Sequence, residues 1–296
     1  MSSSRPPFWP AEPALCVLAS SSSGNCSVLT LPTVNPTPSS LRSSPSFILL
    51  DMGLGLRRTH AELARLGLAL DDAFAVILTH LDTDHWNPGW SRWLPTHTRI
   101  LAHRRHVEYG TRRGVLPSRA EPLDDALELP GGVTSLPTLL SHDDLGVTIL
   151  RFNLPHGDSL GFATDVGHVS PALVERLTGV AVLAIESNYC PAMQAASPRP
   201  WWLKQRIMGG AGHLSNEQCA DAIARIAPTR HVVLLHLSRD CNRPEVAARH
   251  HRRAPYTLTI ASHEHPTPWV SLSTQSVGFQ APTSHTTRCL SFLHLP

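Results

Sequence analysis

Nowhere in this chain is there a run of about 18 apolar residues, so a helix spanning a membrane is not expected. The N-terminal stretch MSSSRPPFWPAEP also has no apolar segment of the length a signal peptide needs, and a cytoplasmic location is the expectation. Cysteine is sparse: Cys16, Cys26, Cys190, Cys219, Cys241 and Cys289 lie far apart with no CxxC pair, which argues against both a disulfide framework and a cysteine-based metal site. Charge of one sign is lacking too. A formal net charge of +2 gives no broad electrostatic case for a nucleic-acid or membrane partner. No internal repeat is evident.

What is present is a globular composition, 42% hydrophobic and 16% charged over 296 residues, enough for one large domain or two small ones. Residues 1–13 and 275–296 read as tails around a domain at 14–274, and the Pro- and Ser-rich stretch at 33–46 reads as a long hairpin loop. Histidine is the outlier, with 18 residues, and imidazole is both the commonest metal ligand and the usual acid or base near neutral pH.

Apolar runs at Leu15–Ala19 and Ser27–Leu31, separated by a Ser-, Gly- and Asn-rich turn, predict a β-hairpin. A third strand at Phe47–Leu50 ends at Asp51. Thr59 and Glu62 have the capping-box form before a helix over 60–66 that stops at Gly67, and a strand at Phe74–Thr79 follows. Ser170 with Pro171 and Gly179 bracket a second helix between strands near 160–164 and 180–185. Ser215 with Gln218 repeats the capping form ahead of Cys219, Ala220, Ile223 and Ile226, whose spacing gives one apolar helical face. Strands alternating with helices after an initial hairpin point to a layered α/β or α+β sandwich.

Several apolar runs stop on a residue able to bind metal: AVILTH at His80, LGFATD at Asp165 and HVVLLH at His236. In layered sheet proteins, sites gather at strand ends because the loops there bring distant residues together. Within HLDTDH, strand alternation puts His80 and Asp82 on one side, and Asp84 and His85 follow as the chain turns away. Imidazole with carboxylate suits zinc, manganese or iron, and two such ions about 3.5–4 Å apart can clamp an attacking and a leaving oxygen. One short segment cannot complete two sites, which makes His142, Asp165 and His236 the natural further ligands.

Asp51, HLDTDH, Ser141-His142-Asp143, Phe162-Ala163-Thr164-Asp165 and His236, in this order, resemble the five successive motifs of the metallo-β-lactamase superfamily. The segments Ser20–Cys26, Glu186-Ser187-Asn188, Gly212–Asn216 and Leu237-Ser238 with Asn242 further resemble its YycJ-like (WalJ) branch. The resemblance spans roughly residues 14–272 and implies an α+β fold, a four-layer αββα sandwich with metals between the sheet edges. It also implies two divalent ions, one held by His80, Asp82 and His142 and the other by Asp84, His85 and His236. Asp165 would bridge them, and Asp51 would orient the ligand loop. The superfamily usually has HxHxDH, whereas Asp82 stands here at the middle position. That harder oxygen ligand moves the expected metal from zinc towards manganese or iron.

The implied function is a metal-dependent hydrolase, a phosphodiesterase or nuclease, with Asp84 or Asp165 holding the attacking water and His213 either protonating the leaving oxygen or contacting a phosphate near the helix N-terminus. Its partner would be a phosphodiester substrate such as nucleic acid. The same site could open an ester, a thioester, a lactone or a cyclic phosphate, and Asp82 also suits an iron-dependent redox protein or a non-catalytic metal binder. Trp86, Trp90 and Trp93 are expected to pack in the core, and the arginine pairs 57–58, 104–105, 112–113 and 252–253 to be solvated surface.

Overall fold

The structure, a computed structural model, describes residues 10, 12–32, 47–141, 144–210 and 212–273. The two expected tails fall largely outside these residues, and the 33–46 insertion and the pair His142–Asp143 entirely outside them.

Among the described residues the strands form two seven-stranded sheets. The first runs in the order Val270–Ser271, Ala14–Ala19, Cys26–Thr30, Phe47–Leu50, Ala73–Leu78, Arg99–Ala102, Glu121–Pro122. The second runs Thr257–Ile260, His231–Leu235, Val182–Glu186, Ser159–Ala163, Val147–Asn153, Val133–Leu140, Leu127–Leu129. Each sheet combines antiparallel hairpins with a parallel stretch.

The strands are nearly continuous apolar runs because both of their faces are covered. In the Ala73–Leu78 strand, Ala75 and Ile77 join the core between the sheets, while Val76 and Leu78 face an outer layer with Leu63, Trp86 and Trp90. In the Val182–Glu186 strand, Val182 and Ala184 enter the same inter-sheet core, and Leu183 and Ile185 pack with Leu173, Leu177 and Ile223. The result is the expected order of helix, sheet, sheet, helix. The helix Pro171–Leu177 starts where expected, with Ser170 Oγ accepting the Leu173 N–H at 3.2 Å. Ser215 and Gln218 form the complete capping box of the Asn216–Ile226 helix.

Two local expectations fail. The helix predicted to start after Thr59 begins a turn earlier, spanning Leu56–Arg65 with Gly55 at its N-cap. Thr59 instead donates its hydroxyl back to the Gly55 carbonyl, as a threonine within a helix does, and Glu62 pairs with Arg65 at 2.9 Å. Of the three tryptophans expected to pack in the core, Trp86 and Trp90 are fully buried and donate to the Val115 and Leu54 carbonyls, but Trp93 is 64% exposed. It closes the short helix Trp90–Trp93, whose buried face is already filled by Trp90.

Candidate metal centre

The parallel strands deliver polar residues to one end of both sheets. Phe47–Leu50 is followed by Asp51, Ala73–Leu78 by Thr79 and His80, Ser159–Ala163 by Thr164 and Asp165, and His231–Leu235 by His236. Val182–Glu186 itself ends on Glu186. Asp51, Asp165 and His236 all adopt left-handed backbone, with φ of 60°, 54° and 54°. Such a conformation costs a non-glycine residue of order 1–3 kcal/mol, and here it turns each side chain inward as its strand stops. At Gly53, by contrast, any Cβ would overlap the Asp84 carbonyl, so a glycine is needed where that loop crosses the ligand segment.

His85 is fixed from both sides. Its Nδ1 lies 2.8 Å from Asp51 Oδ2, and an ionised carboxylate can only accept, so Nδ1 carries the proton. Asp51 also accepts the Thr79 N–H at 2.8 Å and the Thr79 hydroxyl at 3.0 Å. The other ring nitrogen, Nε2, is thereby left to face the centre, 3.0 Å from Asp165 Oδ2 and 3.6 Å from Asp84 Oδ2. The Asn25 amide reaches the same Nε2 at 2.9 Å, and its backbone N–H binds the Asp84 carbonyl at 2.7 Å.

From the second sheet, His236 Nε2 lies 3.2 Å from Asp84 Oδ2, and its Nδ1 lies 3.6 Å from Asp165 Oδ1. Its backbone N–H donates to Ser20 Oγ, which donates in turn to Asn25. Glu186, fully buried, accepts the Asp165 N–H at 3.2 Å and the Leu214 N–H at 3.0 Å, and lies 3.2 Å from His213 Nδ1. His213 Nδ1 also stands 3.3 Å from Asp165 Oδ1.

Electrostatics follow from this crowding. Burial opposes the charge on Asp165, but the imidazoles of His236 and His85 outweigh it and hold the carboxyl well below its ordinary range. Asp84 and Glu186 are lowered in the same way against burial, Asp84 chiefly by its hydrogen bond with His236 and Glu186 by its hydrogen bond with His213. Conversely, burial disfavours a charged His236, yet Asp165, Asp84 and Glu186 raise it to about 10. His85, against the same penalty, is raised well above its usual value by Asp165 and Asp51. Packed carboxylates that demand positive charge from their neighbours are what a dication requires.

Donor atoms of three groups come within 4.8 Å of one another: Asp84, His85 and His236; His80, His85 and Asp165; and Asp165, Glu186, His213 and His236. The residues therefore fit divalent metal. Every predicted ligand among the described residues except Asp82 falls in one of these groups. Asp82 is 57% exposed, with Oδ2 3.9 Å from His80 Nε2. His142 lies outside the described residues. Above the ligands opens a cleft of ≈ 310 Å³ lined by Asp82, Asp84, Asp165, His213 and His236, with Arg199 and Arg206 at its side. Ser20, Asn25 and Glu186 lie in segments that carry the resemblance, but the sequence alone assigns them no individual role. For Glu186 the signal was present, since AVLAIE is another apolar run ending on a possible ligand.

A family model described as the beta-lactamase superfamily domain matches residues 46–237. The chain is 26% identical over 214 residues to an exodeoxyribonuclease YycJ from Bacillus anthracis, covering 68% of this chain and 77% of that protein. It is 26% identical over 238 residues to an exodeoxyribonuclease WalJ from Streptococcus pneumoniae, covering 78% and 84%. Among solved structures, zinc-bound PqqB from Methylobacterium extorquens superposes with a TM-score of 0.60 at 14% identity, covering 86% of this chain and 99% of that one. With residues that could hold a metal gathered at the strand ends of such a sandwich, the chain belongs to the beta-lactamase superfamily, and within it is a YycJ-like metal-dependent hydrolase.

Proposed function

We propose that this protein is a phosphodiesterase acting on nucleic acid, with DNA the favoured substrate because the named relatives are exodeoxyribonucleases. The observation that carries the reading is the cleft itself: converging His and Asp donors on its floor and two arginines, Arg199 and Arg206, at its side. Arginines beside a metal-ligating floor suit an anionic phosphodiester better than a neutral ester, lactone or thioester.

Two divalent ions, zinc, manganese or iron, would be held by Asp84, His85 and His236 and by His80, Asp82 and His142, with Asp165 between them. When bound, they supply Lewis acidity to water and to the phosphoryl group. The chain's own side chains do the rest. Asp84 or Asp165 accepts a hydrogen bond from the attacking water and so orients it. His213, 20% exposed and backed by Glu186, stands at the cleft with a ring nitrogen able to deliver a proton to the leaving oxygen. Asp51 holds His85 in the tautomer that presents Nε2. No helix among the described residues is long and apolar enough to cross a membrane; a cytoplasmic location is part of the proposal.

The test is cleavage of a chromogenic phosphodiester and of short DNA and RNA by metal-stripped protein re-supplied in turn with manganese, zinc and iron. Metal-dependent cleavage that disappears in His85→Ala, with the fold intact by circular dichroism, is the expected result. Absence of cleavage with every metal overturns the reading.

A further inference from the structure

Beside the cleft, the helix Trp201–Met208 presents two adjacent indoles to solvent, Trp201 at 74% exposure and Trp202 at 63%. Large aromatics exposed side by side are unusual on a soluble surface and mark contact sites. This helix is not a loose appendage. Ile207 is buried with Tyr189 and Cys241, and Leu203 packs against the same small cluster. Pro200 sets its N-cap, Gly209 and Gly210 follow its last turn, and the His213 N–H donates to the Ile207 carbonyl at 3.2 Å. The indoles are therefore mounted on a fixed element tied to the backbone of a cleft residue.

The two sides of the helix face different things. Leu203, Arg206 and Ile207 line the metal cleft, while Trp201 and Trp202 stand on the solvent side. Trp202 and Arg206 are four residues apart and so neighbours along the helix surface, which carries the aromatic side to the cleft rim.

Charge selects the occupant. From residue 187 to 216 the sequence contains Arg199, Lys204 and Arg206 and not one Asp or Glu. Arg199 is steadied at the rim by Asp240 at 3.0 Å. A basic segment carrying exposed aromatic faces suits a strand whose phosphates and bases are both accessible. Paired bases in a duplex stack on one another and offer no face to an indole.

We infer that the Trp201–Met208 helix is a stacking platform for single-stranded DNA, on which Trp201 and Trp202 take bases while Arg199 and Arg206 lead the phosphate backbone towards the metal cleft. The inference rests on the phosphodiesterase reading for its substrate, but it concerns binding and is tested without turnover.

The experiment is fluorescence anisotropy of a labelled thymidine oligonucleotide titrated with metal-stripped full-length protein. Trp201→Ala/Trp202→Ala should weaken binding at least about tenfold, as loss of one or two stacked bases does. Trp202→Tyr, which keeps an aromatic face, should restore most of the loss that Trp202→Ala causes. An abasic strand with the same number of phosphates should bind the unaltered protein as weakly as the thymidine strand binds the double variant. Equal binding by the double variant, or an abasic strand bound as tightly as the thymidine one, overturns the platform. So does a pair of indoles that responds only to lipid vesicles. Tight strand binding by a protein that cleaves no diester with any metal would sink the phosphodiesterase reading and leave the platform standing. Diester cleavage without indole-dependent strand binding would do the reverse.

Discussion

His85 Nδ1 and Asp51 Oδ2 meet at 2.8 Å with neither side chain more than 1% exposed. The contact joins the last residue of the HLDTDH segment to the end of the neighbouring strand Phe47–Leu50 and decides which ring nitrogen faces the centre. A carboxylate behind a ligating imidazole both fixes its orientation and raises its basicity.

Asp51→Asn should therefore weaken divalent-metal affinity by about 10–100-fold while keeping side-chain size. Competition against a chromophoric chelator measures it. Unchanged affinity would mean that the Asp51 charge does not support His85 as a ligand.

Asp82 is the one predicted ligand among the described residues that the structure leaves at the cleft edge, 57% exposed. Asp82→His replaces a hard oxygen by a borderline nitrogen and should raise the zinc-to-manganese affinity ratio on the order of tenfold. Because the position is exposed, stability should change by no more than about 0.5 kcal/mol. Equilibrium dialysis against both ions, with metal quantified by mass spectrometry, gives the ratio; no change would remove Asp82 from the ligand set.

His106 is buried on the Arg104–Arg112 helix, with Nε2 3.0 Å from the Gly146 carbonyl. Burial, only partly offset by that hydrogen bond, lowers its imidazole to about 4. Because the folded value lies below the unfolded one near 6.5, the unfolded chain takes up the proton first as pH falls. The contribution is fully present above about pH 6.5 and is lost on descending towards pH 4, at most about 3 kcal/mol. His106→Gln keeps a donor for Gly146 and removes the titration. Its thermal midpoint should drop less than that of the unaltered protein between about pH 7 and about pH 4.5, as scanning calorimetry would read; parallel drops would show that His106 does not titrate in this window.

The layered architecture was legible because both-face burial writes itself as uninterrupted apolar strands, and strand ends such as AVILTH and HVVLLH break off abruptly on polar residues. Capping chemistry was legible at Ser215 and Gln218, where the pattern has no competitor, and misleading at Thr59, where Gly55 had already begun the helix. Asp84, His85, His236 and Asp165 could be read as one cluster because each follows or ends an apolar run. The segment Ser20–Cys26 stood out by its resemblance, but the contacts of Asn25 and Ser20 could not be read, since they depend on a hairpin turn folding against Asp84, 59 residues from Asn25, and against His236, 216 residues from Ser20. The exposure of Trp201, Trp202 and Trp93 was equally hidden, because an indole on a short helix looks the same in sequence whether the adjoining core has room for it or not.

Asp51, His80 and His85 belong to the half of the molecule built on the first sheet, and Asp165, Glu186, His213 and His236 to the half built on the second. A cation held from both sides would be a rivet through the seam between them, and its binding energy would also be docking energy. Chelation should accordingly loosen the seam before it loosens either sheet, so that susceptibility to proteases across the sandwich becomes a gauge of metal occupancy.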